Sequence, residues 1–94
     1  MLLVFEKKAT IAEIKKVARD LNGYIKFVVD VGREILAAGG EMHADGEKRL
    51  LAEGSKQEDL WGGGLDLVTK QIDYNSMINI RPKQNNPSRE VLDV

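Results

Sequence analysis

The residues best placed to do chemistry are Glu41, His43 and Asp45. Alternate residues of an extended strand project from the same side, so this spacing would gather two carboxylates and an imidazole. Such a set could hold a divalent cation or carry out acid–base catalysis. The segment also fits a helix start, in which the three side chains would diverge. A second group is Asn75, Asn79 and Arg81, where a planar guanidinium beside two amides suits a carboxylate or phosphate. A third is the polar stretch Lys56, Gln57, Glu58 and Asp59, followed by Trp61, the sole tryptophan.

Other chemistries are excluded by residue type. The chain has one His and no Cys, which rules out thiolate nucleophiles, sulfur-based zinc sites, disulfide scaffolds and any centre needing two imidazoles. Gly62-Gly63-Gly64 lacks the Lys-Ser/Thr of a phosphate-binding loop, and no dinucleotide fingerprint is present. Neither Ser55 nor Ser76 lies in a nucleophile-elbow motif. At 94 residues, 43% apolar and 31% charged, the chain reads as one ordinary globular domain. The expected boundaries are a domain over 1–88 and a short tail over 89–94. The apolar run Met1 to Phe5 is too short for a signal core or a membrane span, so a cytoplasmic protein without membrane contact is expected.

Net charge is −1, unevenly spread. Residues 1–33 hold seven Lys/Arg against four Asp/Glu, and residues 34–66 hold three against eight. The middle is acidic, and the overall balance gives no net field to attract a polyanion, so general nucleic-acid binding is not favoured, with a small basic patch from the first third as the remaining alternative. No cofactor is called for by any motif.

The elements that would position these residues follow from periodicity. Residues 2–6 read as a strand. Thr10 and Glu13 form a capping box, and Ile11, Ile14, Val17, Ala18 and Leu21 recur at helical spacing up to Asn22-Gly23. Tyr24 to Val31 and Glu34 to Gly40 read as a hairpin turning at Gly32-Arg33. That register puts Ile25, Phe27, Val29, Val31, Leu36 and Ala38 on one face and Lys26, Val28, Asp30, Ile35, Ala37 and Gly39 on the other. Residues 44–53 fit a short helix with Asp45 as N-cap, or alternatively a continuation of the hairpin strand through Asp45. The glycines at 62–64 suggest a bulge, a bend or a close backbone approach before a strand at Leu65 to Val68. Ile72 to Arg81 alternates with period two, which predicts a half-buried strand ended by Pro82 with Asn75, Asn79 and Arg81 facing outward.

The segments Val28-Val29-Asp30-Val31, Gly39 to Asp45, Gly54 to Gly62 and Ser76 to Pro82 resemble those of a family of short prokaryotic proteins catalogued as a domain of unknown function. The resemblance covers most of residues 1–90 and implies no assigned reaction or ligand. Relatives continue into a C-terminal helix beyond the point where this sequence ends, and they carry larger residues at Gly63-Gly64.

The reading is therefore an α+β domain: an antiparallel sheet of four to five strands in the order β-α-β-β-(α)-β-β, with one long and one short helix on one face. Val28, Ile35, Ala37 and Met77 would then lie on a partly bare face and favour a homodimer. The expected function is a small-ligand or protein-binding module, with loop 54–62 and the strand face ending at Arg81 taking a small anionic ligand. The alternatives are a metal-dependent or acid–base enzyme using Glu41, His43 and Asp45, and a structural protein acting as a dimer.

Overall fold

The computed structural model describes residues 2–6, 10–81, 84, 86 and 90. Five strands form one antiparallel sheet: β1 (Leu2–Phe5), β2 (Tyr24–Asp30), β3 (Ile35–Gly39), β4 (Leu60–Asp66) and β5 (Ile72–Asp73), in the spatial order β1-β3-β2-β4-β5. Helix α1 (Ile11–Val17) connects β1 to β2, and α2 (His43–Ala52) connects β3 to β4. No helix among the described residues is long and apolar enough to cross a membrane. Of the predicted loop and tail beyond Arg81, only Gln84, Asn86 and Glu90 are among the described residues.

Local signals govern the first half of the chain. Thr10 Oγ1 accepts from the Glu13 amide (3.2 Å) while Glu13 Oε1 accepts from the Thr10 amide (2.9 Å), so the predicted capping box forms in full. After α1 the chain tightens into a 3-10 turn over Ala18–Leu21 and stops at Asn22, whose φ of 52° is left-handed. The β2–β3 hairpin has the expected register, with Phe27 opposite Ala38 and Asp30 opposite Ile35. Its turn spans Val31 to Glu34 rather than two residues. Asp30 makes that turn: its Oδ1 accepts from the amides of Gly32 (3.0 Å) and Arg33 (2.9 Å).

Both faces of the sheet carry a helix, which corrects the expectation of helices on one face. Val28, Ile35 and Ala37 pack with Leu50 of α2 and Leu60 on one side, while Ile25 and Ala38 pack with Val17 and Ala18 on the other. Helix α2, expected to be the shorter of the two, is the longer at 10 residues against 7, and it reaches the far face where Gly46 meets the sheet. A Cβ on Gly46 would lie 3.0 Å from Val28 Cγ2, so the missing side chain lets α2 sit close. Leu50 and Leu60 are fully buried, each contributing about 1.5–3 kcal/mol of burial. The bare face expected to favour a dimer through Val28, Ile35 and Ala37 does not exist; Met77 alone of that set is exposed.

Three further elements differ from the periodic reading. α2 begins at His43 behind Met42, not at Asp45, and the strand alternative for residues 41–45 is not adopted. β4 runs without interruption through Gly62, Gly63 and Gly64, pairing with Val28, Phe27 and Lys26. The strand expected over 72–81 ends at Asp73, and Met77–Asn79 form a 3-10 turn capped by the Ser76 hydroxyl. Two hydrogen-bond needs override the alternation: the amide of Ile78 takes Ser76 Oγ (3.3 Å), and Asn79 turns inward to serve β4.

Candidate functional site

The glycine run shapes the site. A Cβ on Gly64 would overlap the Tyr24 hydroxyl, and one on Gly62 would lie 2.7 Å from Ser76 Cβ and 3.1 Å from His43 Cδ2. Side chains from β2, α2 and the segment after β5 therefore cross β4 where it has no side chains of its own. Tyr24 Oη passes over Gly64 and donates to Asp73 Oδ2 (2.7 Å), and Asp73 Oδ1 accepts from the Asn75 amide (3.1 Å). Between α2 and this segment lies a cleft of about 590 Å³ lined by Tyr24, Lys26, Met42, His43, Asp73 and Asn75, among others.

His43 is the central group. Its Nε2 sits 2.6 Å from the Gly63 carbonyl oxygen. A carbonyl only accepts, so Nε2 carries the proton and, in the neutral ring, Nδ1 holds the lone pair. Burial pushes the imidazole below its ordinary range; the Gly63 carbonyl opposes this, Lys26 adds to it and Asp73 opposes it. The ring is therefore uncharged at neutral pH. Lys26 Nζ donates to the Glu41 carbonyl (2.8 Å), which leaves two of its three N–H groups for another acceptor. Burial, the hydrogen bond to Asp73, and the charges of Asp73 and Asp66 push the Tyr24 phenol up to about 12, so it stays a donor throughout the neutral range.

A pH titration follows from this arrangement. Because the folded His43 binds its proton more weakly than the unfolded chain does, its contribution is intact above the ordinary 6.5 and is lost as pH falls through the folded value. The His43 ring signals in NMR are expected to titrate with a midpoint below 6.5, and His43→Gln is expected to remove that part of the acid destabilisation. A midpoint at or above 6.5 would contradict the buried, neutral imidazole.

The other residues singled out from sequence do not join His43. Since His43 opens a helix, no strand parity aligns it with Glu41 and Asp45, which are both exposed. Among the described residues no group of three or more His, Asp or Glu side chains could hold a metal ion. Asn79 is fully buried, with Oδ1 accepting from the Gly62 amide (2.8 Å) and Nδ2 donating to the carbonyls of Gly62 (3.0 Å) and Tyr74 (3.1 Å). Arg81 donates from Nε to the Ile78 carbonyl (2.9 Å) and from its terminal nitrogens to the carbonyls of Gln57 (2.6 Å) and Leu60. Its guanidinium also lies 4.5 Å over the Trp61 ring. These groups fasten β4 and the loop before it.

Lys56, Gln57 and Glu58 are exposed. Asp59 accepts from the Val31 amide through its carbonyl (3.0 Å) and lies at the hairpin turn, away from the Lys26 end of β2. Of the eight residues proposed to bind ligand, only Asn75 lines the His43 cleft. Sequence reasoning passed over Tyr24, Asp73 and Met42 as site residues. The glycine run was the available signal, since glycines within a strand mark places where neighbours come close.

A family model described as "Protein of unknown function (DUF5674)" matches residues 3–94. The chain belongs to that family. No curated protein and no solved structure matches it. The DUF5674 assignment agrees with the expected membership in a family of unknown function and assigns no reaction or partner. Within this DUF5674 chain, those segments meet around β4: Gly39 to Asp45 supplies His43, Gly54 to Gly62 supplies Trp61 and the first glycine, and Ser76 to Arg81 supplies the Asn79 and Arg81 fastenings.

Proposed function

We propose that this protein is a small-ligand-binding module, that its site is the cleft around His43, and that the ligand is a small anion carrying a hydrogen-bond donor. One observation carries the reading: His43 Nε2 is committed to the Gly63 carbonyl, which in the neutral ring leaves Nδ1 as an acceptor, and the same cleft holds the Lys26 ammonium. The ammonium answers the negative charge and Nδ1 answers the donor. Asp73 is also in the cleft, but Tyr24 and the Asn75 amide already occupy its two oxygens. Met42 and Met77, 60% and 67% exposed, give the cleft apolar and adaptable walls.

Glycolate and acetate are suitable probes, because they share the carboxylate and differ in the hydroxyl donor. Glycolate is expected to shift the His43 ring and Lys26 backbone signals saturably, with a Kd of about 1 mM. Acetate is expected to bind about tenfold more weakly, and His43→Ala to abolish the difference. Equal response to both probes, or none at tens of millimolar, would refute the assignment. The acid–base alternative keeps one supporting observation, that His43 and Tyr24 line the same cleft, while the metal-dependent form has no ligand set among the described residues.

A further inference from the structure

The sheet face opposite the His43 cleft is only half covered. Val17 and Ala18 cap Ile25 and Ala38, and the next row of side chains forms an apolar groove of about 630 Å³ lined by Phe5, Ile14, Phe27, Val29, Leu36 and Tyr74, among others. Ile72 and Tyr74 at the β5 end of the groove are 59% and 54% exposed. Exposed apolar side chains gathered around one hollow are the chemistry of an interaction site.

The charges around the groove say which partner fits. Among the described residues its charged lining side chains are Glu6 and Glu34. Helix α1, which walls the groove through Ile14 and Val17, carries exposed Lys15 and Lys16, and exposed Arg19 follows in the next turn. Ile11 in the first turn of α1 is 73% exposed. One face thus presents an apolar hollow with an acidic rim beside a basic helix with an apolar knob. A surface carrying both halves of a complementary pair meets itself across a two-fold axis. Net charge of −1 places little long-range repulsion between copies.

We infer that the partner is a second copy of this chain, with the two grooves facing each other and the basic side of each α1 against Glu6 and Glu34 of the other copy. A standard interface takes about 800 Å² per partner, about an eighth of the 6356 Å² that one copy exposes. The interface lies on the face opposite to the one the sequence suggested, and it leaves the His43 cleft open.

Sedimentation equilibrium tests the proposal directly. The wild-type chain is expected at twice its 10.5 kDa mass at about tens of micromolar. Ile72→Lys, and separately the double change Lys15→Glu with Lys16→Glu, are expected to weaken self-association at least about tenfold, with an unchanged far-UV circular dichroism spectrum. Adding Glu6→Lys and Glu34→Lys to the α1 double change is expected to restore the dimer, a result that loss of folding could not produce. A monomer up to about 1 mM, a dimer indifferent to Ile72→Lys, or charge reversal without restoration would each overturn it. A monomer would leave the groove to a different protein.

Discussion

Asn79→Ala is expected to lower the unfolding free energy by about 3–5 kcal/mol, measured by urea denaturation. The side chain is fully buried and serves three backbone groups, the amide and carbonyl of Gly62 and the carbonyl of Tyr74. Among the described residues β5 pairs only with Gly64 and Leu65 and no strand lies beside the edge of β4 at Gly62, where the Asn79 amide takes the place of one. Alanine leaves the buried amide and carbonyl of Gly62 and the part-buried carbonyl of Tyr74 to find other partners, and each buried group costs about 1–3 kcal/mol when it fails. A small domain has only about 5–15 kcal/mol in total, so the variant should lose a large share of its stability.

Asn79→Asp separates this account from simple loss of volume. A carboxylate keeps the acceptor for the Gly62 amide but turns its second oxygen toward two carbonyls. Its folded pKa should therefore rise above the ordinary aspartate value, and stability should be present at low pH and lost as pH rises through that folded value. A loss under about 1 kcal/mol for Asn79→Ala, or no pH dependence in Asn79→Asp, would show that water satisfies the β4 edge instead.

Arg81→Ala is the second large effect, with an expected loss of about 2–4 kcal/mol. The guanidinium bridges the carbonyls of Ile78, Gln57 and Leu60 and stacks over Trp61. It thereby ties the 3-10 turn at Met77–Asn79 to the start of β4 and to the loop that leads into it. Arg81→Lys should recover only a minor part, because one ammonium on a flexible stem cannot reproduce a planar fork reaching three carbonyls. Trp61 is the sole tryptophan, so its fluorescence reports the change: emission should move to longer wavelength in Arg81→Ala, and amide exchange should accelerate over 57–60. Unchanged emission and exchange would mean that the loop is held by other contacts.

These two residues also show where the sequence stops being informative. Alternation with Ile78 and Ile80 predicts that Asn79 and Arg81 form an outward polar face. Period two is meaningful only while the chain stays a strand, and this one leaves the sheet after Asp73. Polarity then reports an unmet hydrogen-bond demand elsewhere, at Gly62 and at the carbonyls of the preceding loop, which lies 17 to 24 residues away in sequence. His43 shows the same limit in a different form. Its chemistry as the lone imidazole was legible, but the carboxylates assigned to it were sequence neighbours, and a helix starting at His43 separates them. The partners it meets, Gly63 and the cleft walls from β2 and the segment after β5, come from elsewhere in the chain.

What the amino-acid sequence determined by itself were the features set by neighbours within about one turn or one hairpin: the capping box at Thr10 and Glu13, the stop at Asn22, the hairpin register with Phe27 opposite Ala38, and the α+β order of elements. Each rests on short-range sterics or hydrogen bonds, which periodicity and residue type encode directly. Tertiary structure alone decided that the helices lie on opposite faces, that Asn79 and Arg81 fasten β4, and that the cleft forms at His43 with Lys26, Tyr24 and Asp73. Those outcomes depend on which distant backbone groups are left unpaired and where glycines let side chains cross, and neither quantity exists until the sheet is assembled.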